Sequence, residues 1–192
     1  IKMSNNTSVL DIYGDYHDLD INYSMTSQDY FVHMLRFSKV VDLVHGKNIF
    51  DIGCGKYVNL LKAICQMRRG PDYKAYIGTD YGQCQRWRPN YAPIWDKTLI
   101  YDGMDFTDTN DVNVLINALE QAFEGEPFII TCFEVLEHMD FEMQNKFLYN
   151  LSRILHNPKL NIECCLFSTP NHNGSPAKNH ISEISYKLEE EM

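Results

Sequence analysis

Apolar residues in this chain fall into blocks of two kinds, some with a helical period and some in short unbroken runs. From Ser27 the period is helical, with Tyr30, Phe31, Met34, Leu35, Val40, Val41 and Val44 mostly on one face. Thr26 or Ser27 can cap this helix and Gly46 can end it. Asn48-Ile-Phe-Asp-Ile52 is then a short apolar run closed by glycines, the pattern of a buried strand. A second helix is predicted from Val58 to Arg69, with Leu60, Leu61, Ile64 and Cys65 inward and Gly70-Pro71 as its stop. Tyr76 to Asp80 reads as the next strand and Leu99 to Tyr101 as a weak one. The stretch between them, Gly82 to Lys97, holds two prolines and no clean period, so it reads as a long loop. Asp111 to Phe123 is a helix with Val112, Leu115, Ile116 and Leu119 inward. Phe128 to Cys132 is a strand, and Asp140 to Leu155 a helix using Phe141, Phe147, Leu148, Leu151, Ile154 and Leu155. Asn161 to Ser168 is the last strand, closed by Thr169-Pro-Asn171.

Strands alternating with helices need crossover connections, and these produce a mostly parallel sheet with helices on both faces. The fold class expected is therefore α/β, doubly wound and Rossmann-like. Residues 1–26 read as an irregular polar lead-in and residues 27–192 as a single domain. Ligands on such sheets bind outside the carboxyl ends of the strands. Functional residues are expected just after Phe50, Thr79, Tyr101, Thr131 and Phe167.

Four motifs fall at those places. The first is Asp51-Ile-Gly53-Cys54-Gly55, where glycines allow a tight turn and close approach to main-chain amides. A phosphate-binding loop avoids a carboxylate at this point. The acid at Asp51 suits instead a ligand with an ammonium group, such as the methionine end of S-adenosylmethionine, or belongs to an ordinary strand-to-helix turn. The second is Asp80, able to accept from both hydroxyls of a ribose. The third is Gly103-Met104-Asp105-Phe106, in which Asp105 can accept from an adenine amino group and Met104 or Phe106 can cover the ring. A turn or capping aspartate is the structural alternative for Asp105. The fourth is Phe133-Glu134-Val-Leu-Glu137-His138-Met139, with two carboxylates and an imidazole at the sheet edge. These could act as acid and base, hold a metal, or, for Glu134 and Glu137, open the following helix and complement its dipole.

Composition narrows the picture. The chain has 192 residues, 44% of them hydrophobic, with a formal net charge of -9. That balance opposes non-specific adhesion to nucleic acid, although Arg68, Arg69, Arg86 and Arg88 could form a local basic patch. No apolar run is long enough to span a membrane, and the polar N-terminus, beginning at Ile1, has no signal pattern. The six cysteines form no C-x-x-C pair, and Cys132, Cys164 and Cys165 sit in apolar runs. They read as reduced core residues of a cytoplasmic protein.

Taken together, Phe50-Asp-Ile-Gly-Cys-Gly55, Tyr76-Ile-Gly-Thr-Asp80, Phe133-Glu-Val-Leu-Glu-His-Met139 and Phe167-Ser-Thr-Pro-Asn171 resemble the class I S-adenosylmethionine-dependent methyltransferase superfamily. The resemblance covers roughly Asp29 to Asn171. It implies S-adenosylmethionine as cofactor. The loop of Asp51, Gly53, Cys54 and Gly55 would hold its methionine moiety, Asp80 with neighbouring Tyr81 its ribose, and Asp105 with Phe106 its adenine. Phe133 and Glu134 would border cofactor and substrate, and Glu134, Glu137 and His138 would form the catalytic set, with no metal ligand assigned. Two features depart from the family pattern. Tyr57 stands where a third glycine is common, and only a short stretch follows Asn171, so the sheet is expected to be truncated at the family's C-terminal strands.

The acceptor expected is an oxygen or nitrogen on a small molecule. Cys132-Phe-Glu-Val replaces the Asn/Asp-Pro-Pro-aromatic motif of amino-methylating DNA enzymes, and no proline precedes Cys132 as a cytosine C5 enzyme requires. A sharper alternative is a nucleic-acid partner. Glu134, Glu137 and His138, with Ser168-Thr-Pro-Asn171 and His180, resemble the 3′-terminal RNA 2′-O-methyltransferases. In that family two glutamates and two histidines hold a divalent metal. The segment from Arg86 to Trp95 is expected to lie over the pocket, with its arginines facing an anionic group, or to be a plain surface loop. A non-catalytic cofactor-binding scaffold is the remaining class.

Overall fold

The structure is a computed structural model that describes residues 28–55, 58–67, 72–84 and 97–169. The expected lead-in over residues 1–26, the arginine-aromatic segment of 85–96, Arg68, Arg69, Tyr57 and everything from Pro170 on, including Asn171 and His180, lie outside the described residues.

Five strands form one all-parallel sheet: β1 (Asn48–Ile52), β2 (Ala75–Asp80), β3 (Thr98–Asp102), β4 (Phe128–Phe133) and β5 (Ile162–Ser168), in the order β3-β2-β1-β4-β5. The chain moves outward from β1 to β3, then returns to place β4 on the other side of β1. The strand order therefore reverses between β1 and β4, and this is the position where doubly wound sheets hold ligands. In register, Asp51 stands between Gly78 of β2 and Thr131 of β4. β1 is buried at all five positions, as a central strand covered on both faces must be. The fold expected from the sequence, a Rossmann-like doubly wound α/β sheet, is therefore the one observed.

Helices α1 (Gln28–Leu43) and α2 (Asn59–Met67) cover one face. Phe37, Val40, Val41 and Val44 pack there with Leu60, Leu61, Ile64 and Cys65 against Ile49, Tyr76 and Ile129. Leu35 departs from the expected face and lies 63% exposed, while Phe37 is turned inward. Helices α3 (Thr109–Phe123) and α4 (Phe141–Leu155) cover the other face. Their starts are set by short acids, since Asp108 accepts from Asn110 N at 2.6 Å and Asp140 accepts from Met143 N at 2.8 Å. Glu124, at φ 49°, and Gly125, at φ 78°, end α3 in left-handed backbone.

In α4 only Phe147, Leu151 and Ile154 bury their apolar side chains, each contributing roughly 1.5–3 kcal/mol. Phe141, Leu148 and Leu155, expected inward, face solvent. The apolar arc of this helix is wider than the strip its neighbours cover. All six cysteines are thiols; Cys54, Cys65, Cys84 and Cys132 are buried and Cys164 and Cys165 partly so. Among the described residues no helix is long and apolar enough to cross a membrane.

Candidate functional site

The carboxyl ends of β1 to β4 open into one cleft of about 530 Å³, within the size range of small-molecule sites. Gly53 and Gly55 enter it from the β1 tip, Asp80 and Tyr81 from β2, Met104, Asp105 and Phe106 from β3, and Glu134, Val135, His138 and Met139 from β4. Met143 and Phe147 of α4 close one side. The lining thus combines carboxylates and an imidazole with the apolar side chains of Met104, Phe106, Met139 and Met143.

The glycine loop turns because Gly53 and Gly55 hold φ near 70° and 75°, backbone that glycine adopts without penalty. A Cβ at Gly53 would stand 2.3 Å from Val135 Cγ2, whereas one at Gly55 would meet nothing within 4 Å among the described residues. Gly53 and Cys54 both donate their amides to Thr79 O, at 2.8 and 3.0 Å. Gly55 donates to Asp80 Oδ2 at 2.9 Å, and Gly82 to Asp80 Oδ1 at 2.8 Å. The two backbone amides fix the Asp80 carboxylate at the cleft wall. Each oxygen keeps a lone-pair direction for a further donor.

Asp51 lies deeper than its motif suggests. Its side chain is on the α1–α2 face, 3% exposed, and is not part of the cleft wall. Thr131 Oγ1 donates to Asp51 Oδ1 at 2.7 Å, and the Tyr76 hydroxyl donates to Oδ2. Burial pushes the Asp51 carboxyl up to about 6 from an ordinary 3.8; the Tyr76 and Thr131 hydroxyls oppose the rise and Asp80 adds to it. The Tyr76 phenol is itself raised well above its usual value, first by burial and then by Asp51. Gly78 makes this contact possible. A Cβ at that position would stand 2.9 Å from Tyr76 Cε1 and 2.9 Å from Ile100 Cδ1, so a hydrogen there leaves the tyrosine ring its lane toward Asp51.

At the β4 tip, Glu134 takes left-handed backbone at φ 56°, a conformation uncommon outside glycine and frequent at functional sites. Its Oε1 accepts from Arg36 Nη2 at 2.8 Å and from Ser168 Oγ at 2.9 Å, and its amide donates to Ser168 O at 3.0 Å. Arg36 reaches across from α1, its guanidinium 5.9 Å from the Phe133 ring centroid. Glu137 sits in the turn Leu136–His138, 1% exposed and outside the cleft wall, while His138 lines the cleft. The helix opening considered for Glu137 is filled by Asp140.

Of the residues singled out in the sequence, the cleft brings together Gly53, Gly55, Asp80, Tyr81, Asp105, Phe106, Glu134 and His138. Asp51, Cys54, Phe133 and Glu137 stand behind its wall. Asp105 has a structural duty too, because its Oδ1 accepts from Thr107 N at 2.8 Å and from Thr107 Oγ1 at 2.7 Å. Arg36 and Met143 escaped the sequence reading, and Tyr76 was read there only as a strand residue. Arg36 and Glu134 are 98 positions apart, and no local pattern joins them. Among the described residues the cleft wall carries Asp80, Asp105 and Glu134 and no lysine or arginine, and no group of three His, Cys, Asp or Glu side chains is arranged to hold a metal ion. No family model and no curated protein matches the chain.

Proposed function

We propose that the chain is an S-adenosylmethionine-dependent methyltransferase of the class I type. The observation that carries this reading is the convergence of four consecutive strand tips, β1 to β4, on one cleft beside the reversal of strand order. The cleft suits the cofactor in three respects. Asp80 is fixed with lone pairs to spare for ribose hydroxyls. The apolar lining side chains Met104, Phe106 and Met143, with Asp105 between the first two in sequence, suit an adenine ring. The wall carries the carboxylates of Asp80 and Asp105 without a lysine or arginine among its described lining residues, which suits a cationic sulfonium. The Asp51 carboxylate stands back from the wall, so it would act on the ammonium end through the loop rather than by lining the cleft.

Bound there, S-adenosylmethionine would supply a methyl group activated by its sulfonium. With that group bound, the nucleophilic oxygen or nitrogen of the acceptor would form the new bond to carbon as the carbon–sulfur bond broke, and the acceptor would give up its proton. His138, which lines the cleft, would take that proton. Glu134, held by Arg36 and Ser168, would orient the acceptor. The acceptor we favour is a hydroxyl or amine on a small molecule. Calorimetry with S-adenosylmethionine and with S-adenosylhomocysteine tests the cofactor, and a labelled-methyl product screen tests turnover. Binding of neither ligand would end this reading. Binding without any methyl transfer would leave a non-catalytic scaffold.

A second reading rests on the sequence pattern. Glu134 and His138 share the cleft wall and belong to the Glu-x-x-Glu-His pattern through which the 3′-terminal RNA 2′-O-methyltransferases hold a divalent metal, but Glu137 stands outside that wall and the described residues bring no three such ligands together. Methyl transfer to the terminal ribose of a short RNA, lost in EDTA and regained with manganese or magnesium, would establish this acceptor. Activity untouched by EDTA would dismiss the metal.

A further inference from the structure

Two thiols meet directly behind the glycine loop. Cys54, between Gly53 and Gly55, places its Sγ 3.8 Å from Sγ of Cys84, which follows β2. Both side chains are buried, at 5% and 9% exposure. They come from different strand tips, 30 positions apart, so the contact is a product of the fold. A disulfide needs the sulfurs at about 2.05 Å. The loop that must move to close that distance is flanked by two glycines in left-handed backbone.

The loop is also wired to the cleft. Cys54 N is held by Thr79 O at 3.0 Å, and the next amide, Gly55 N, holds Asp80 Oδ2 at 2.9 Å. On the other side Cys84 N donates to Asp102 Oδ2 at 3.3 Å. Drawing the sulfurs together pulls on both anchors and disturbs the bond that sets the Asp80 carboxylate.

We propose that Cys54 and Cys84 form a reversible disulfide under peroxide, and that this bond distorts the glycine loop and weakens ligand binding at Asp80. The second half rests on the cofactor reading above. In the reaction one thiolate attacks a peroxide oxygen, the O–O bond breaks and hydroxide leaves, giving a sulfenic acid. The partner sulfur then attacks that sulfur, the S–S bond forms and the sulfenic oxygen leaves as water. Two thiols and one hydrogen peroxide give one disulfide and two waters, and a dithiol reductant reverses the step.

The surroundings set the pace. The Cys54 thiol is pushed well above its ordinary value, first by its contact with Cys84 and then by burial. Thiolate at Cys54 is therefore scarce near neutrality, and attack by that sulfur quickens as pH rises.

The test uses the full chain, reduced and then exposed to hydrogen peroxide at pH 7 and pH 9. Non-reducing peptide mapping is expected to join the peptide carrying Cys54 to the one carrying Cys84, two hydrogens lighter, faster at pH 9, and reversed by dithiothreitol. Amide exchange over Gly53–Gly55 should change with the linkage. Calorimetric affinity for S-adenosylhomocysteine should fall tenfold or more and recover on reduction. Cys84→Ser, with Cys84→Ala as a second variant, should keep the reduced chain's affinity and lose its response to peroxide. Absence of a Cys54–Cys84 linkage, or a linkage with unchanged loop exchange, overturns the proposal. Should the reduced chain have no affinity for S-adenosylhomocysteine, the cofactor reading falls, and the mapping and exchange results decide the redox pair alone.

Discussion

Gly53 and Gly55 share a backbone conformation and differ in what surrounds them, so replacing each by alanine separates two energies. Both sit at positive φ, near 70° and 75°, where a Cβ costs about 1–2 kcal/mol. Gly55→Ala should lose about that much, since its new methyl meets nothing within 4 Å among the described residues. Gly53→Ala drives a methyl to 2.3 Å from Val135 Cγ2, and such overpacking adds about 1–3 kcal/mol. Its total, about 2–5 kcal/mol, is a large share of the 5–15 kcal/mol that holds a typical domain together. Val135 cannot easily retreat, because its neighbour Glu134 is pinned by Arg36 and Ser168. Urea unfolding of the two variants, of Val135→Ala and of the double variant Gly53→Ala/Val135→Ala gives the answer. The double variant should recover about 1–3 kcal/mol relative to the sum of the singles. Equal losses for the two glycine variants, or no coupling to Val135, would refute the claim that the β4 turn closes on the glycine loop.

Three further outcomes follow from the site. Because Asp51 titrates near 6 when folded against an ordinary 3.8, the folded chain binds the extra proton between those values. The stability Asp51 contributes should therefore fall as pH rises through that window, by about 3 kcal/mol, and level off above it. The difference between the unmodified chain and Asp51→Asn, followed by urea midpoints from pH 3.5 to 7.5, measures this, and a flat difference would contradict it. Arg36→Met should cost about 1–3 kcal/mol in stability by leaving the Glu134 carboxylate without its cation. It should also depress methyl transfer more than S-adenosylhomocysteine affinity, and equal losses in both would place Arg36 with the cofactor instead. Asp80→Ala should weaken S-adenosylhomocysteine binding at least tenfold by calorimetry, since it removes the acceptor fixed by Gly55 and Gly82; an unchanged constant would move the ribose elsewhere.

Most of the scaffold was legible because its strands are short apolar runs, and the glycine or acid at or just past the ends of β1 to β4 coincides with the cleft. The observed β1 matches its expected bounds, and β2, β3, β4 and β5 differ by a residue or so. Depth was harder to read. Side chains alternate along a strand, so Asp51 shares the face of Ile49 and points into the core, although its place near a strand tip suggested the cleft. Its partners Tyr76 and Thr131 are supplied by neighbouring strands, and only the register reveals them. Arg36 was missed for the same reason, its role being fixed by a carboxylate on another element. Leu35, Phe141 and Leu148 show the limit of helical periodicity, which marks an apolar arc without saying how much of it a neighbour covers.

A glycine inside a strand ordinarily weakens a sheet. At Gly78 that weakness serves as clearance. The phenol of Tyr76 crosses the missing side chain and meets an acid on the adjacent strand, so even a methyl at this position would be felt one strand over, in the proton affinity of Asp51. What position 78 tolerates is set by that distant carboxyl as much as by the pairing of β2 with its neighbours.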